Sequence, residues 1–179
     1  MEHIFLGYDH LLFLLALILL SRFRDLVLVV TSFTLAHTLT LILVALELVT
    51  LPTRLVESGI ALTIVYVALE NLWTKDTSHR WLLTFCFGLV HGFGFANVLR
   101  ELGLPATGLV RSLLSFNVGV ELGQLAVVPP AWLAWRGCPR WRDNEAAVRK
   151  ADRGLSLVIA APGTAWFVDR AFALRFMPF

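Results

Sequence analysis

Residues 26–48 have the sequence LVLVVTSFTLAHTLTLILVALEL, which is mostly apolar. Its acidic and basic residues are one histidine and, near the end, Glu47. A helix that crosses a bilayer needs about 20 consecutive, mostly apolar residues, so this stretch is long enough to span a membrane. His37 lies at its middle, where an ionisable side chain is costly and usually serves a function. The stretch therefore predicts a membrane helix that carries polar chemistry.

The composition of the whole chain supports this prediction. Its 179 residues are 58% hydrophobic and only 16% charged, whereas a soluble domain is typically about 45–50% apolar and about 25% charged. The net charge of +2 gives no electrostatic footprint of nucleic-acid binding. Cys86 and Cys138 form neither a disulfide framework nor a cysteine metal motif. The expected surroundings are a lipid bilayer, without nucleic acid.

Five other apolar segments accompany the first, so the predicted fold is an all-α, polytopic transmembrane helix bundle of about six spans. One transmembrane domain then occupies residues 1–179, with a basic loop at 136–153. The last span is interrupted by Pro162, Gly163 and Asp169. Six short spans are also compatible with a homo-oligomer. The predicted spans are 4–20, 26–48, 55–73, 81–99, 109–135 and 154–174.

The distribution of basic residues predicts the orientation. The loops after spans 1, 3 and 5 hold ten of the fifteen Lys and Arg residues. Cytoplasmic loops carry the excess of these residues, so both termini are expected outside a bacterial-type cytoplasmic membrane. The first span has no basic start and no small-residue cleavage site after it, so it is not expected to be a signal peptide.

Ionisable and amide side chains recur inside the predicted spans. At about 1.5 Å per residue, His37 and His91 lie near the midplane and His10 lies about 9 Å below the outer edge. His3 and His10 are two helical turns apart and share a face. Gly88 and Gly92 form a small-xxx-small pattern that permits close helix packing. The other polar residues of the spans are Asp9, Glu57, Glu70, Asn71, Asn117, Glu121 and Gln124, and the last three form one helical stripe.

Several imidazoles and a carboxylate in a water-poor region predict a divalent transition-metal site, because imidazole suits zinc, nickel, copper and iron. A carboxylate such as Asp9 either ligates or orients a neighbouring ring. Each histidine taken singly also fits an interhelical hydrogen-bonding role. Glu57 also fits an interfacial cap, and Glu70 with Asn71 fits a polar helix end. The predicted metal ligands are His3, Asp9, His10, His37, His91 and Glu121.

The segment His3-Ile-Phe-Leu-Gly-Tyr-Asp9-His10 resembles the His-x5-Asp-His signature of the HupE/UreJ membrane proteins. The similarity continues through FTLAHTLT (33–40), ALENL (68–72), FGLVHGFGF (87–95) and SFNVGVELGQ (115–124). It covers residues 3–125, with none recognised beyond about 136, and favours the second branch of the family.

This resemblance implies nickel or cobalt handling, because members accompany nickel hydrogenase and urease operons and are regarded as permeases. It also implies metalloenzyme-maturation partners. The chain departs from the classical members, which carry a second histidine-rich stretch, since its fourth span offers only His91.

The sequence leaves three functions open. It also leaves open whether the chain is an enzyme. A permease needs successive weak sites, and the transport path would continue through Glu70, Asn71, Asn117 and Gln124. A membrane-embedded zinc hydrolase needs three histidines, a carboxylate and an open position on the outer side. In that case Glu121 or Asp9 is the general base and Asn117 holds the oxyanion. A non-transporting accessory subunit is the third alternative.

Overall fold

The computed structural model describes residues 8–20, 23–74, 78–101, 109–137, 144–174 and 176, and gives the backbone alone for residues 8, 9, 20, 96–101, 109 and 110. These described residues form six α-helices, which confirms the predicted all-helical class. The helices are α1 (Tyr8–Leu20), α2 (Phe23–Ala45), α3 (Thr53–Trp73), α4 (Arg80–Glu101), α5 (Leu109–Arg136) and α6 (Glu145–Phe172).

Three of the helices, α2, α3 and α5, are long and apolar enough to cross a membrane. Helix α1 is apolar but has only 13 residues, which span about 20 Å and less than the hydrocarbon core of about 30 Å. Within the described residues, α4 and α6 do not reach the same apolar length. The membrane character of the fold is therefore supported, and the crossing of all six helices stays a prediction.

Helix α6 begins nine residues before the predicted span 154–174, so the second half of the predicted loop at 136–153 is helical. Asn144 caps the helix by accepting a hydrogen bond from the Ala147 amide at 2.9 Å. Glu145 then pairs with Arg149 one turn on. Asparagine before a helix is a recognised start signal, and the basic charge of this segment obscured it. Pro162 lies within the continuous helix.

The short helix α1 packs one face against the other described helices. It contacts α3, α5 and α6, and its Phe13, Ala16, Leu17 and Leu19 side chains are fully buried. They pack into one apolar core with residues of α2, α3 and α6. The helix is too short to span a bilayer, and in this position several other helices cover its packed face.

The C-terminal end of α1 is held by polar side chains from three other helices. Asn71 donates to the Ala16 carbonyl at 2.8 Å, and Arg80 donates to the Leu17 carbonyl at 3.4 Å. Arg136 donates to the Leu19 carbonyl. The last four carbonyls of a helix have no partner within it, and positive charge is favourable there. These contacts satisfy carbonyls that the short helix leaves inside the bundle.

Arg80 makes the most contacts in this group of polar side chains, the Arg80 cluster, which also contains Glu70 and Asn71. Its side chain is 2% exposed and forms an ion pair of 3.1 Å with Glu70, which is 12% exposed. It also donates to the Asn71 side-chain oxygen. Arg80 therefore links Glu70 and Asn71 to the end of α1, although its Nε has no hydrogen-bond partner among the described residues.

Helices α2 and α4 approach each other at two glycines. A Cβ atom added at Gly88 would lie 2.5 Å from the Phe33 carbonyl oxygen, and one added at Gly92 would lie 2.7 Å from the His37 carbonyl oxygen. Side chains of any size are excluded there, as the small-xxx-small pattern predicts. The two backbones touch at the level of His37 and His91.

Substitution of Gly92 by alanine should therefore destabilise the protein. The new methyl group would meet the His37 carbonyl and the Thr40 side chain, each at 2.7 Å, and overpacking of this kind costs about 1–3 kcal/mol. We expect a lower Tm for the detergent-solubilised variant. Gly119→Ala is the matched control, because the structure places nothing within 4 Å of its added Cβ. Equal Tm values for the two variants would contradict the close approach.

Substitution of Arg80 by methionine should destabilise the protein by about 3–5 kcal/mol, because it leaves the Glu70 carboxylate buried without its partner. Denaturation in mixed micelles measures the change. The double variant Arg80→Met/Glu70→Gln should recover part of the loss. Arg149→Ala breaks an exposed ion pair and should have little effect on stability. A similar loss of stability in Arg80→Met and Arg149→Ala would refute a special role for Arg80.

Candidate metal centre

Three histidines from three helices meet inside the bundle. The ring of His10 on α1 lies with its centroid 5.7 Å from that of His37 on α2 and 5.3 Å from that of His91 on α4. His91 is 1% exposed and His37 is 5% exposed, whereas His10 is partly exposed. The packing thus brings together three of the predicted ligands, and the approach to them is most open at His10.

The donor set suits a divalent transition metal. Two imidazoles bound to one ion, with metal–nitrogen bonds of about 2.0–2.1 Å, have ring centroids roughly 5 Å apart. The observed centroid separations are close to that value. Among the described residues, however, no three His, Cys, Asp or Glu side chains are already grouped as a metal site. The ring of His10 meets those of His37 and His91 edge to face, at interplanar angles of 74° and 87°.

Two phenylalanines form the apolar wall of the histidine cluster. Phe33 on α2 has its ring centroid 5.2 Å from that of His91 and 5.8 Å from that of His37. Phe13 on α1 lies 4.9 Å from His91 by the same measure. Both phenylalanines are buried. The histidines therefore lie in an aromatic, low-dielectric environment, in which polar and charge interactions are stronger than in water.

Helix α3 contributes a hydroxyl group that fixes one of the rings. Thr63 Oγ1 lies 2.9 Å from His91 Nε2 and 2.7 Å from the Ile60 carbonyl oxygen. Thr63 is 5% exposed. A histidine that binds metal usually has its second ring nitrogen hydrogen-bonded in this way.

The other predicted ligands take different places. His3 lies outside the described residues, and Asp9 lies on α1 with its side chain undescribed. Glu121 on α5 accepts a hydrogen bond of 2.7 Å from Thr31, which is about 9 Å along α2 from His37. Glu121 is thus held on the flank of α2.

Two of the three residues in the polar stripe of α5, Glu121 and Gln124, bond to threonines of α2. Gln124 accepts a hydrogen bond of 3.3 Å from Thr34. Asn117 is 3% exposed and donates to the Leu113 carbonyl at 2.8 Å. Its side-chain oxygen has no hydrogen-bond partner among the described residues. The stripe therefore offers one buried amide oxygen and one carboxylate beside the histidine-bearing helix.

Glu70 and Asn71, the predicted inner part of a transport path, lie in the Arg80 cluster at the end of α1. They are about 10 Å along α1 from His10. Glu57 pairs with Arg170 at 3.4 Å, which ties α3 to α6 and agrees with a structural role.

Sequence reasoning did not identify Phe13, Phe33, Thr63 or Arg80 as neighbours of functional residues. Phe13 and Phe33 follow His10 and precede His37 by three and four residues, which places each phenylalanine on the face of its histidine. That spacing was an available signal. No comparable sequence signal identifies Thr63 or Arg80, because their contacts join different helices.

Comparison with known proteins gives one match. The family model described as HupE / UreJ protein matches residues 1–170, which extends past the resembling segment 3–125 and includes most of α6. No curated protein and no solved structure matches. A match over nearly the whole chain, together with helices suited to a membrane, shows that the chain is a membrane protein of the HupE/UreJ family.

Proposed function

We propose that this chain handles a divalent transition metal inside the membrane, most simply as a permease or metal-handling accessory protein for nickel or cobalt. The observation that carries the proposal is the convergence of His10, His37 and His91 from three helices. Membership of a family linked to nickel and cobalt supports the choice of metals. Imidazole donors also accept zinc, so the ligands alone do not select among the three.

The ligand set of this proposal extends beyond the described side chains. His3, Asp9 and Glu121 are proposed as additional ligands, with Asp9 adjacent in sequence to His10. Histidine ligands must be neutral to bind metal, and a carboxylate reduces the charge of a buried cation. Asn117 and Gln124, on the α5 stripe, are proposed contacts along the path of the ion.

The proposed placement is the cytoplasmic membrane with both termini outside. By the six-span prediction, ten of the fifteen basic residues fall between spans on one side, which favours that side as cytoplasmic. The metal would then meet His10 from the outer side.

The buried Arg80 favours a second candidate function. The Arg80 guanidinium, 2% exposed at the inner end of α1, already pairs with the Glu70 carboxylate, so in this conformation Glu70 is not available to a divalent cation on an inward path. A site that opens only outward is what a membrane-embedded zinc hydrolase requires, with Glu121 or Asp9 as general base and Asn117 near the oxyanion. In a permease, the same cluster must rearrange during each transport cycle.

The metal proposal predicts that His10→Ala and His91→Ala each abolish stoichiometric binding. The measurement is isothermal titration of the purified protein with nickel, cobalt and zinc salts, because each variant removes one of three imidazoles. His79→Ala is the matched control, since His79 is exposed in the turn before α4. Unchanged affinity in both cluster variants would refute the intramembrane site.

Metal content and ion flux separate the two candidate functions. A permease predicts that purified protein loses its metal on washing and that proteoliposomes accumulate nickel or cobalt, with flux lost in His37→Ala. A hydrolase predicts one retained zinc per chain, absent in His37→Ala, and no flux. Elemental analysis and a metal-sensitive dye trapped in the vesicles give the two measurements.

A further inference from the structure

We infer that Thr63 is a positioning residue that selects Nδ1 of His91 as the ring nitrogen offered to the metal, an inference that rests on the proposed function. The observation is the pair of contacts made by one hydroxyl group. Thr63 Oγ1 lies 2.7 Å from the Ile60 carbonyl oxygen and 2.9 Å from His91 Nε2. Thr63 lies on α3, and His91 lies on α4.

Hydrogen-bond chemistry determines the proton positions in this pair. A hydroxyl group has one proton to donate and lone pairs to accept with. A carbonyl oxygen only accepts, so the Thr63 proton is directed to Ile60. The Thr63 oxygen is then an acceptor toward His91, and Nε2 of His91 carries the proton. In a neutral imidazole with a protonated Nε2, the lone pair available to a metal is on Nδ1.

Burial makes this arrangement stable. Thr63 is 5% exposed and His91 is 1% exposed, so water has little access to compete for the hydroxyl group or for Nε2. The Ile60 carbonyl belongs to the preceding turn of α3 and moves with Thr63 as one rigid unit. The ring of His91 is therefore oriented by α3 before any metal arrives.

Nδ1 ligation has a geometric consequence for the site. Nδ1 is bonded to Cγ, so it lies closer to the main chain than Nε2 does. The ion is thus expected near the α4 backbone, at the level where Gly92 brings α2 into contact. A metal whose other ligands come from α1 and α2 would then lie between the closely packed helices α2 and α4, with α1 supplying the third ligand.

The experiment compares Thr63→Val with Thr63→Ser and with Thr84→Val. Valine keeps the volume of threonine but removes the hydroxyl, and serine restores it. Thr84 is the matched control, because it is 1% exposed and its hydroxyl bonds only to carbonyls of its own helix, those of Arg80 and Trp81, in the described residues. Tm values confirm that each variant is folded.

The first measurement is the histidine ¹⁵N spectrum of metal-free protein, with the His91 signals assigned by their loss in His91→Gln. We expect the Nε2–H tautomer in the wild type, in Thr63→Ser and in Thr84→Val, and a mixture of tautomers in Thr63→Val. A predominant Nδ1–H tautomer in the wild type, or an unchanged spectrum in Thr63→Val, would overturn the inference.

The second measurement is nickel affinity by titration calorimetry. Thr63→Val should bind about 10–100-fold more weakly, as expected when the partner of a ligating histidine is removed, while Thr63→Ser and Thr84→Val should stay within a few-fold of the wild type. Equal affinity in Thr63→Val and the wild type would refute the positioning role. If the wild type binds no metal, the proposed function fails and the ligand role of Nδ1 fails with it, whereas the tautomer result is decided separately by the spectrum.

Discussion

The backbones of α2 and α4 are in contact at Gly88 and Gly92, and the histidine cluster depends on that contact. A Cβ atom at either glycine would overlap a carbonyl oxygen of α2. Lipid chains are as apolar as leucine, so close packing of small residues is a main source of helix association in a membrane. Because His37 and His91 lie at this contact, their mutual placement follows from the absence of two side chains.

The short helix α1 imposes a second constraint. Its thirteen residues end inside the bundle, and an unsatisfied carbonyl in an apolar medium costs several kcal/mol. Asn71, Arg80 and Arg136 meet this requirement from α3, α4 and α5. The same contacts hold α1 at a fixed depth and thereby keep His10 at the level of the other two histidines. The polar cluster at the C-terminal end of α1 thus has a structural function whether or not an ion passes it.

The site combines buried histidines with one that is partly exposed. His91 is held between Thr63 and the aromatic rings of Phe13 and Phe33. His10, on α1, is partly exposed. A site with buried ligands on one side and an accessible ligand on the other suits an ion that arrives from one direction. This asymmetry is common to both functions considered for the chain.

Much of this protein was determined by its sequence alone. Long apolar segments predicted the membrane helices, because the bilayer requires about 20 apolar residues per span and internal backbone hydrogen bonding. The histidines stood out because ionisable groups are rare in such segments. The His-x5-Asp-His signature indicated the family, which the match over residues 1–170 confirmed. Composition and local spacing suffice for the first two conclusions, and the third rests on a motif resemblance.

Only the tertiary structure decided which polar residues share a site. It brought His10, His37 and His91 together, held Glu121 against Thr31, and placed Glu70 and Asn71 with Arg80. It also gave Thr63 its contact with His91. Sequence periodicity places a residue on a face and at a depth of its own helix. Which faces meet depends on how the helices pack, and that is set by steric contacts such as those at Gly88 and Gly92, between residues far apart in the chain.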